Sequence, residues 1–378
     1  MNVINILFFL SLTIWIWILL FYRNSYLYKH IFSIDLSKIQ EQNFPFLSIL
    51  IPARNEEVVL PETLPSLLSQ KYSPKEIFLI DDHSTDNTYS VAQGLHEKYG
   101  KDSLEIIQGK PLEEGWAGKM WALNQGLGKA QGEWVLLTDA DLHYAQDLLP
   151  AIMAFAFEKK VVMLSLMARL RTKIFWEKLL IPAFLYFFKL MYPFGSVNNP
   201  DSKIAAAAGG CILIQKKVLE EIGGLEAIKD ALIDDISLAR KVKAKGYPIL
   251  LLDSPDLVSK RGYDTLGGIW NMVTRSAFTE LKYSYLRLMG CIFIMLTMFA
   301  VPFLAPAFSD ISACLGLFVW IMMSLTYYPT TGYFALNPIF SFTLPLAGLL
   351  YLGMTIDSAR RYLFGTKSQW KGRSYKKN

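Results

Sequence analysis

The segment EWVLLTDAD, residues 133 to 141, places a short apolar run directly before two aspartates. Three similar apolar runs precede it along the chain: FLSILIP (46 to 52), EIFLIDD (76 to 82) and LEIIQG (104 to 109). Segments with helical character separate the four runs, near residues 62 to 70, 86 to 99 and 118 to 130. Strand-length apolar runs that alternate with helical segments are typical of parallel strands joined by crossover helices. The sequence therefore predicts an α/β fold for the middle of the chain.

The acidic residues of the fourth run are candidates for binding a metal. In an open parallel sheet, ligands bind at the carboxyl ends of the strands, which is where Asp139 and Asp141 lie. Paired carboxylates suit Mg²⁺ or Mn²⁺, which prefer oxygen ligands and often share them with phosphates. A metal there would act as a Lewis acid on a departing diphosphate, and Lys119 in GWAGKMW could reach the same phosphates. Taken alone, two aspartates after a strand are also common turn formers or helix caps.

Polar loops follow the first two runs as well. In LIDDHSTDNT (79 to 88), Asp81 and Asp82 could accept hydrogen bonds from a nucleobase or a ribose hydroxyl. The alternative is an ordinary turn into a helix capped by Asp86. IPARNEE (51 to 57) also places polar residues after a strand, and a plain loop is again the alternative.

Six motifs follow one another in an order that is far more specific than any one of them: IPARNE, LIDDHSTDNT, GWAGKMWALNQGL, LLTDAD, AAAAGGCILI and IDDISLARKVKAKGY. This series resembles the family 2 glycosyltransferases of the GT-A type over roughly residues 46 to 280. Within that family, the chain looks most like the HpnB-type glycosyltransferases associated with hopanoid biosynthesis. The resemblance implies a Rossmann-like mixed sheet and a nucleotide-diphospho-sugar donor.

The resemblance also implies roles for individual residues. Asp235 in IDDISL stands at the place of the general base, and Asp139 and Asp141 stand at the place of the metal and diphosphate pair. The residues expected to contact the nucleotide sugar are Pro52, Arg54, Asn55, Glu56, Asp81, Asp82, Lys119, Asn124, Asp139 and Arg275. Arg275 lies in WNMVTRSAF, where many membrane-bound relatives have Q-x-x-R-W, and this departure makes polymer synthesis less expected. Without the resemblance, the acidic pair of IDDISL would be interpreted as a helix N-cap.

The two ends of the chain are more apolar than its middle. Residues 3 to 22 carry no charge over about the length that crosses a bilayer. The basic residues that follow, Arg23 and Lys29, favour a cytoplasmic location for the next domain. Further apolar stretches lie at 289 to 308, 311 to 328 and 338 to 355. The predicted division is a transmembrane anchor (1 to 24), a cytoplasmic catalytic domain (44 to 285), membrane helices (286 to 357) and a basic tail (358 to 378).

The number of membrane crossings stays open. If all three C-terminal stretches span the bilayer, the tail ends outside, although basic residues favour the inside. These basic residues are Lys367, Lys371, Arg373, Lys376 and Lys377. One stretch could instead be re-entrant or interfacial. The apolar segment 174 to 194 carries Glu177, Lys178 and Lys189, and is expected to be an interfacial or acceptor-groove helix rather than a span.

The net charge and the cysteine spacing argue against some classes of partner and cofactor. The net charge of +5 is modest and forms no strong basic stripe outside the tail, so nucleic acid is not an expected partner. Cys211, Cys291 and Cys314 show no metal-binding or redox spacing, which suits a reducing cytoplasm.

Together, the motifs and the resemblance predict an inverting glycosyltransferase in the bacterial inner membrane. It would use Mg²⁺ or Mn²⁺ and move a sugar from a nucleotide-diphospho-sugar to a lipid, a hopanoid or another polyisoprenoid. Two alternatives remain: a polyprenyl-phosphate sugar synthase and a catalytically degenerate membrane scaffold. Alanine at Asp235 separates the two enzymes, because an acceptor that is already anionic needs less help from a base.

Overall fold

The computed structural model describes residues 3–39, 43–100, 103–304, 307, 310–365, 369–370 and 373–374. Lys367, Lys371, Lys376 and Lys377 of the basic tail lie outside these ranges, as does the side chain of Arg373. The placement of the tail therefore stays a prediction.

An eight-stranded mixed sheet forms the centre of the fold. Its strands are β1 (Leu47–Ala53), β2 (Lys75–Asp81), β3 (Leu104–Gln108), β4 (Trp134–Thr138), β5 (Leu142–Tyr144), β6 (Met163–Arg169), β7 (Cys211–Gln215) and β8 (Ile249–Ser259). They are arranged in the order β3-β2-β1-β4-β7-β6-β8-β5. β1 is parallel to β2 and β4, whereas β7 is antiparallel to β4 and β6. The expected mixed α/β sheet is confirmed.

Helices cover the sheet and continue beyond it at both ends of the chain. Up to β7 they are α1 (Val3–Phe21), α2 (Arg23–Tyr26), α3 (Leu60–Leu68), α4 (Thr88–Leu95), α5 (Gly118–Leu127), α6 (Leu148–Glu158), α7 (Phe175–Met191) and α8 (Phe194–Asn198). The later ones are α9 (Lys216–Glu221), α10 (Asp234–Ala244), α11 (Leu266–Thr274), α12 (Ala277–Glu280), α13 (Tyr285–Met295), α14 (Val301–Leu304), α15 (Asp310–Tyr333) and α16 (Leu344–Leu363). Short 3₁₀ segments lie at Leu36–Lys38, Leu225–Ile228 and Pro338–Thr343, and π-helical turns at His96–Gly100 and Leu296–Ala300. Near the C-terminus, β9 (Gln369–Trp370) pairs antiparallel with β10 (Arg373–Ser374).

The elements predicted for the first half of the domain are confirmed. The four apolar runs form β1 to β4, and α3, α4 and α5 lie between them. Every residue of β1 and β4 is buried, because packed layers of side chains lie on both faces of the sheet. Since β1 and β4 are adjacent and parallel, the loops that follow Ala53 and Thr138 leave the sheet at the same edge. This edge positions the candidate site.

The segment predicted to be interfacial forms α7, and the structure buries it. Glu177 is 0% exposed and Lys189 is 2% exposed. Their burial is tolerated because Glu177 pairs with Arg171 and Lys189 pairs with Asp253. The helix packs against α11, α15 and α16, while its Phe188 belongs to the core of the sheet domain. The helix α7 thus connects two packed cores, and its prediction as an interfacial or acceptor-groove helix stays a prediction.

Three long apolar helical segments lie in the described part of the C-terminal region. They run over Tyr285–Leu304, Ser312–Tyr333 and Pro338–Leu363, and each is long and apolar enough to cross a membrane. They match the three predicted stretches. At the other end, the described apolar part of α1 is Ile6–Phe21, which is shorter than these spans. The N-terminal anchor and the number of crossings therefore stay predictions.

Candidate active site

A cavity of about 550 Å³ opens at the carboxyl ends of β1 and β4. The residues singled out from the sequence that line it are Pro52, Glu56, Lys119, Asp139, Asp141, Asp235 and Arg275. They come from loops and helix ends that are far apart in the chain. The fold thus brings seven candidate residues to one cavity, four of which are carboxylates.

Lys119 connects the two acidic motifs of the cavity. Its Nζ lies 2.8 Å from Asp139 Oδ1 and 3.7 Å from Asp234 Oδ2, and it donates a hydrogen bond to the Gly209 carbonyl at 3.1 Å. Burial would lower the pKa of Lys119, but Asp139 and Asp234 outweigh it and hold that pKa well above its usual value. The lysine stays protonated, so it can offset negative charge in the cavity.

Asp141 is held by residues that follow β8. Its Oδ2 accepts hydrogen bonds from Ser259 Oγ at 2.8 Å and from Arg261 Nε at 3.1 Å. The Arg261 Nη2 lies 2.7 Å from Glu56 Oε1, so one guanidinium joins the loops after β1 and β4. Burial opposes the charge of Arg261, but Asp141 and Glu56 outweigh it and raise its pKa. Arg261 is not part of any of the predicted motifs. Its only local signal in the sequence is that it is a basic residue at the end of a strand.

Asp235 lies in the first turn of α10 and lines the same cavity. Its Oδ2 accepts a hydrogen bond from the Gly209 amide and its Oδ1 from the Ile236 amide, both at 2.8 Å. A Cβ on Gly209 would lie 3.1 Å from Asp235 Oδ2, which explains why a small residue is needed in AAAAGG. Burial and the neighbouring Asp234 carboxylate raise the pKa of Asp235 to about 7. A carboxyl group with a pKa near neutrality is suited to accept a proton.

The acidic pair has the chemistry that a divalent metal needs. No group of three or more His, Cys, Asp or Glu side chains gathers as a metal site among the described residues. Asp139 and Asp141 nevertheless both line the cavity. Mg²⁺ and similar hard cations are commonly held by one or two carboxylates together with water and substrate phosphates. Two cavity carboxylates therefore fit such a metal.

The other residues that were predicted to contact the nucleotide sugar do not line the cavity. Arg54 Nη1 donates to the carbonyls of Asp82 and His83, and Asn55 Oδ1 accepts from the Thr85 amide at 2.8 Å. These contacts join the loops after β1 and β2. The residues outside the lining are Arg54, Asn55, Asp81, Asp82 and Asn124. Their roles toward a nucleotide stay predictions.

Apolar side chains form another part of the cavity wall. Its wall includes Leu170, Phe184, Phe188 and Met272, of which two come from α7. This wall was not predicted residue by residue, although α7 was considered as an acceptor groove. The cavity is therefore lined by both charged and apolar side chains.

A family model and several curated proteins match part of the chain. Residues 48–223 match the family model described as Glycosyl transferase family 2. The chain is 28% identical over 257 residues to the "Probable glycosyltransferase YdaM" of Bacillus subtilis, covering 65% of this chain and 59% of that protein. It is 27% identical over 239 residues to a beta-monoglucosyldiacylglycerol synthase of Nostoc sp., covering 62% and 49% of the two chains. The chain thus spans only about half to three fifths of these curated relatives.

A solved structure with a related fold matches nearly the whole chain. It is the mannosyltransferase PcManGT from Pyrobaculum calidifontis in complex with GDP-Man and Mn²⁺, with a TM-score of 0.62 and 20% identity. The alignment covers 97% of this chain and 100% of that one. At this identity the likeness concerns the fold. The chain therefore contains a glycosyltransferase family 2 domain, built on a GT-A fold.

Proposed function

We propose that this chain is an inverting glycosyltransferase that moves a sugar from a nucleotide-diphospho-sugar to a lipid acceptor. The observation that carries the proposal is the position of Asp235. Its carboxylate lies in the same cavity as Asp139 and Asp141, and that cavity also has the apolar wall. One cavity therefore offers a site for a diphosphate, a base, and contacts for an apolar acceptor.

In this proposal, the charged side of the cavity binds the donor. Asp139 and Asp141 would hold Mg²⁺ or Mn²⁺, and the metal when bound would stabilise negative charge on the leaving diphosphate. Lys119 and Arg275 add positive charge near the same phosphates. The metal-bound donor is also supported by the fold neighbour, whose structure contains GDP-Man and Mn²⁺.

Asp235 would remove the proton of the acceptor hydroxyl as its oxygen attacks the anomeric carbon. A general base needs a pKa close to the working pH, and burial beside Asp234 raises the pKa of Asp235 to about 7. The Gly209 and Ile236 amides fix both of its oxygens. Attack from the face opposite the diphosphate inverts the configuration of the sugar.

The acceptor is proposed to be a membrane lipid. Phe184, Phe188 and Met272 line the cavity, and Phe184 and Met272 also pack against the apolar cluster that contains Val319 of α15 and Tyr351 of α16. One relative is a monoglucosyldiacylglycerol synthase by name. The motif resemblance to HpnB-type enzymes points to a hopanoid or another polyisoprenoid. We place the catalytic domain on the cytoplasmic side of a bacterial inner membrane, held there by several membrane helices.

A polyprenyl-phosphate sugar synthase is the second candidate. Arg275 at the end of α11 lines the cavity and could bind the phosphate of such an acceptor. The scaffold alternative is disfavoured, because a degenerate domain would not be expected to keep four carboxylates at one cavity.

The deciding experiment uses the full-length protein in lipid nanodiscs. UDP- and GDP-sugars are first screened with Mn²⁺ by thermal stabilisation, and transfer to extracted membrane lipids is then measured. For Asp235→Asn we expect stabilisation by the donor to persist while turnover falls by about 10²- to 10⁴-fold. Glu226→Gln is the matched control, because Glu226 is mostly exposed and pairs with Lys229 in its own turn.

The two enzymes then differ in one outcome. A variant Asp235→Ala that retains most of its turnover would favour the phosphate acceptor, which needs less help from a base. A wild-type protein that binds no nucleotide and transfers no sugar would refute the proposed function.

A further inference from the structure

Arg261 makes an unusual set of contacts for a residue that no motif singled out. Its Nε lies 3.1 Å from Asp141 Oδ2 and its Nη2 lies 2.7 Å from Glu56 Oε1. The side chain is 35% exposed and lines the cavity. Arg261 therefore neutralises a carboxylate of the proposed metal pair and still has access to the space where a donor would bind.

Hydrogen bonds hold the backbone on both sides of Arg261. The Lys260 amide donates to the Asp141 carbonyl at 2.8 Å, and the Tyr263 amide donates to Glu177 Oε1 at 2.8 Å. Arg171 binds the same Glu177 oxygen, and a Cβ on Gly262 would lie only 2.0 Å from Arg171 Cζ. The main chain on either side of Arg261 is thus fixed by hydrogen bonds at Lys260 and Tyr263.

A metal on Asp141 and the guanidinium of Arg261 need the same carboxylate. Asp141 Oδ2 already accepts hydrogen bonds from Ser259 and Arg261, and a divalent cation beside it would also repel the guanidinium. A guanidinium displaced from a carboxylate has a natural second partner in a phosphate, which matches its planar fork. The cavity would then supply both the metal and a guanidinium to the diphosphate.

We propose that Arg261 is an exchangeable counter-ion: it holds Asp141 and Glu56, gives up Asp141 to the metal, and then binds the diphosphate of the donor. This inference rests on the proposed function and adds a donor-binding role for a residue outside the motifs. It makes two opposite predictions for one substitution. Loss of Arg261 strengthens binding of the metal alone and weakens binding of a nucleoside diphosphate with the metal.

The test measures binding of Mn²⁺ to the full-length protein in detergent from the electron paramagnetic resonance signal of free Mn²⁺. For Arg261→Gln we expect Mn²⁺ alone to bind about threefold more tightly or better, because competition and repulsion are both removed. The second measurement uses saturating Mn²⁺ and the nucleoside diphosphate, UDP or GDP, that the wild type binds. We expect this nucleotide to bind Arg261→Gln about tenfold more weakly than the wild type. Arg261→Lys keeps the charge without the fork, so its Mn²⁺ affinity should lie near that of wild type.

Lys260→Gln is the matched control, because it removes the same charge from the adjacent position. Lys260 pairs with the exposed Glu62, so its loss should leave Mn²⁺ affinity unchanged. Suppose that the wild type binds Mn²⁺ and nucleotide, but that Arg261→Gln binds Mn²⁺ no more tightly than the wild type does. This result would overturn the inference about Arg261 and leave the proposed function standing. A wild type that binds neither would overturn the proposed function together with it.

Discussion

The ion pair between Lys189 and Asp253 and the ion pair between Lys119 and Asp139 differ in their access to water. Lys189 and Asp253 lie 2.5 Å apart with side chains that are 3% and 0% exposed. In the cavity, Lys119 and Asp139 are 2.8 Å apart but 17% and 37% exposed. The first pair is closed off by protein on all sides, whereas the second borders a space for a ligand. The first can only hold the structure together, and the second can exchange partners.

The closed pair joins distant parts of the chain. Lys189 belongs to α7, and its Nζ lies 3.1 Å from the centre of the Tyr28 ring. The backbone of Asp253 in β8 pairs with the N-terminal segment, through the Phe32 amide at 2.7 Å and the His30 carbonyl at 2.9 Å. Burial lowers the pKa of Lys189 and raises that of Asp253, while each partner favours the charged form of the other. This pair therefore fastens the helical region to the sheet.

The largest effect expected in this comparison is on stability. Lys189→Met leaves Asp253 as an unpaired buried charge, and should lower the free energy of unfolding by about 3–5 kcal/mol. Lys189→Met with Asp253→Leu should recover most of this loss, because no charge is left buried. Denaturant unfolding in detergent provides the measurement.

The cavity lysine is the control for that prediction. Lys119→Met should cost much less unfolding free energy, since water and rearranged carboxylates can compensate, while turnover falls strongly. Equal stability losses for Lys119→Met and Lys189→Met would show that the distinction between the two sets of charges is false.

The second prediction concerns pH. Because the pKa of Asp235 is raised to about 7, the base is increasingly protonated below that pH, and kcat/KM should fall about tenfold per pH unit there. Above it, the carboxylate is ionised and the rate should level off. Lys119 lowers the pKa of Asp235, so the residual activity of Lys119→Met should have its acid limb at higher pH. A profile that stays flat down to pH values near 5, just above the ordinary carboxyl range, would show that the pKa of the base is not raised.

The smallest predicted effect comes from a change in the backbone next to Arg261. In Gly262→Ala the new methyl group would overlap the Arg171 guanidinium, which must leave Glu177 or move the loop. We expect transfer to slow by about threefold to tenfold through misplacement of Arg261, with a Tm lower by about 2–4 °C. Gly267→Ala is the control, because its nearest neighbour would lie 3.7 Å away in ordinary contact. Identical rates for the two variants would show that the loop adapts freely.

The strands that could be predicted and those that could not differ in their surroundings. β1 to β4 are short apolar runs because both faces of the sheet are covered there. β8 contains Asp253, Ser254 and Asp256, so its apolar pattern is interrupted. Asp253 is 0% exposed and is accommodated by Lys189 of α7, a partner that no local pattern could supply. The apolar runs along the sequence therefore predicted fewer strands than the eight that the sheet contains.

The candidate site divides in the same way. Asp139, Asp141 and Asp235 could be selected from their motifs, because each follows a strand or begins a helix where a polar residue is exposed to a ligand. The contact between Glu56 and Arg261 joins residues 205 positions apart. Such a contact depends on the order of β1, β4 and β8 in the sheet. A spacing rule along the chain cannot predict it.

By itself, the sequence determined the α/β class, the apolar C-terminal helices and the residue types available for chemistry, because these follow from local patterns of apolar and acidic residues. The tertiary structure alone decided that α7 is buried, that Lys189 pairs with Asp253, and that Arg261 holds the cavity carboxylates. The physical reason is that a buried charge needs a partner across space, and the fold chooses that partner by bringing together elements that are remote in the chain.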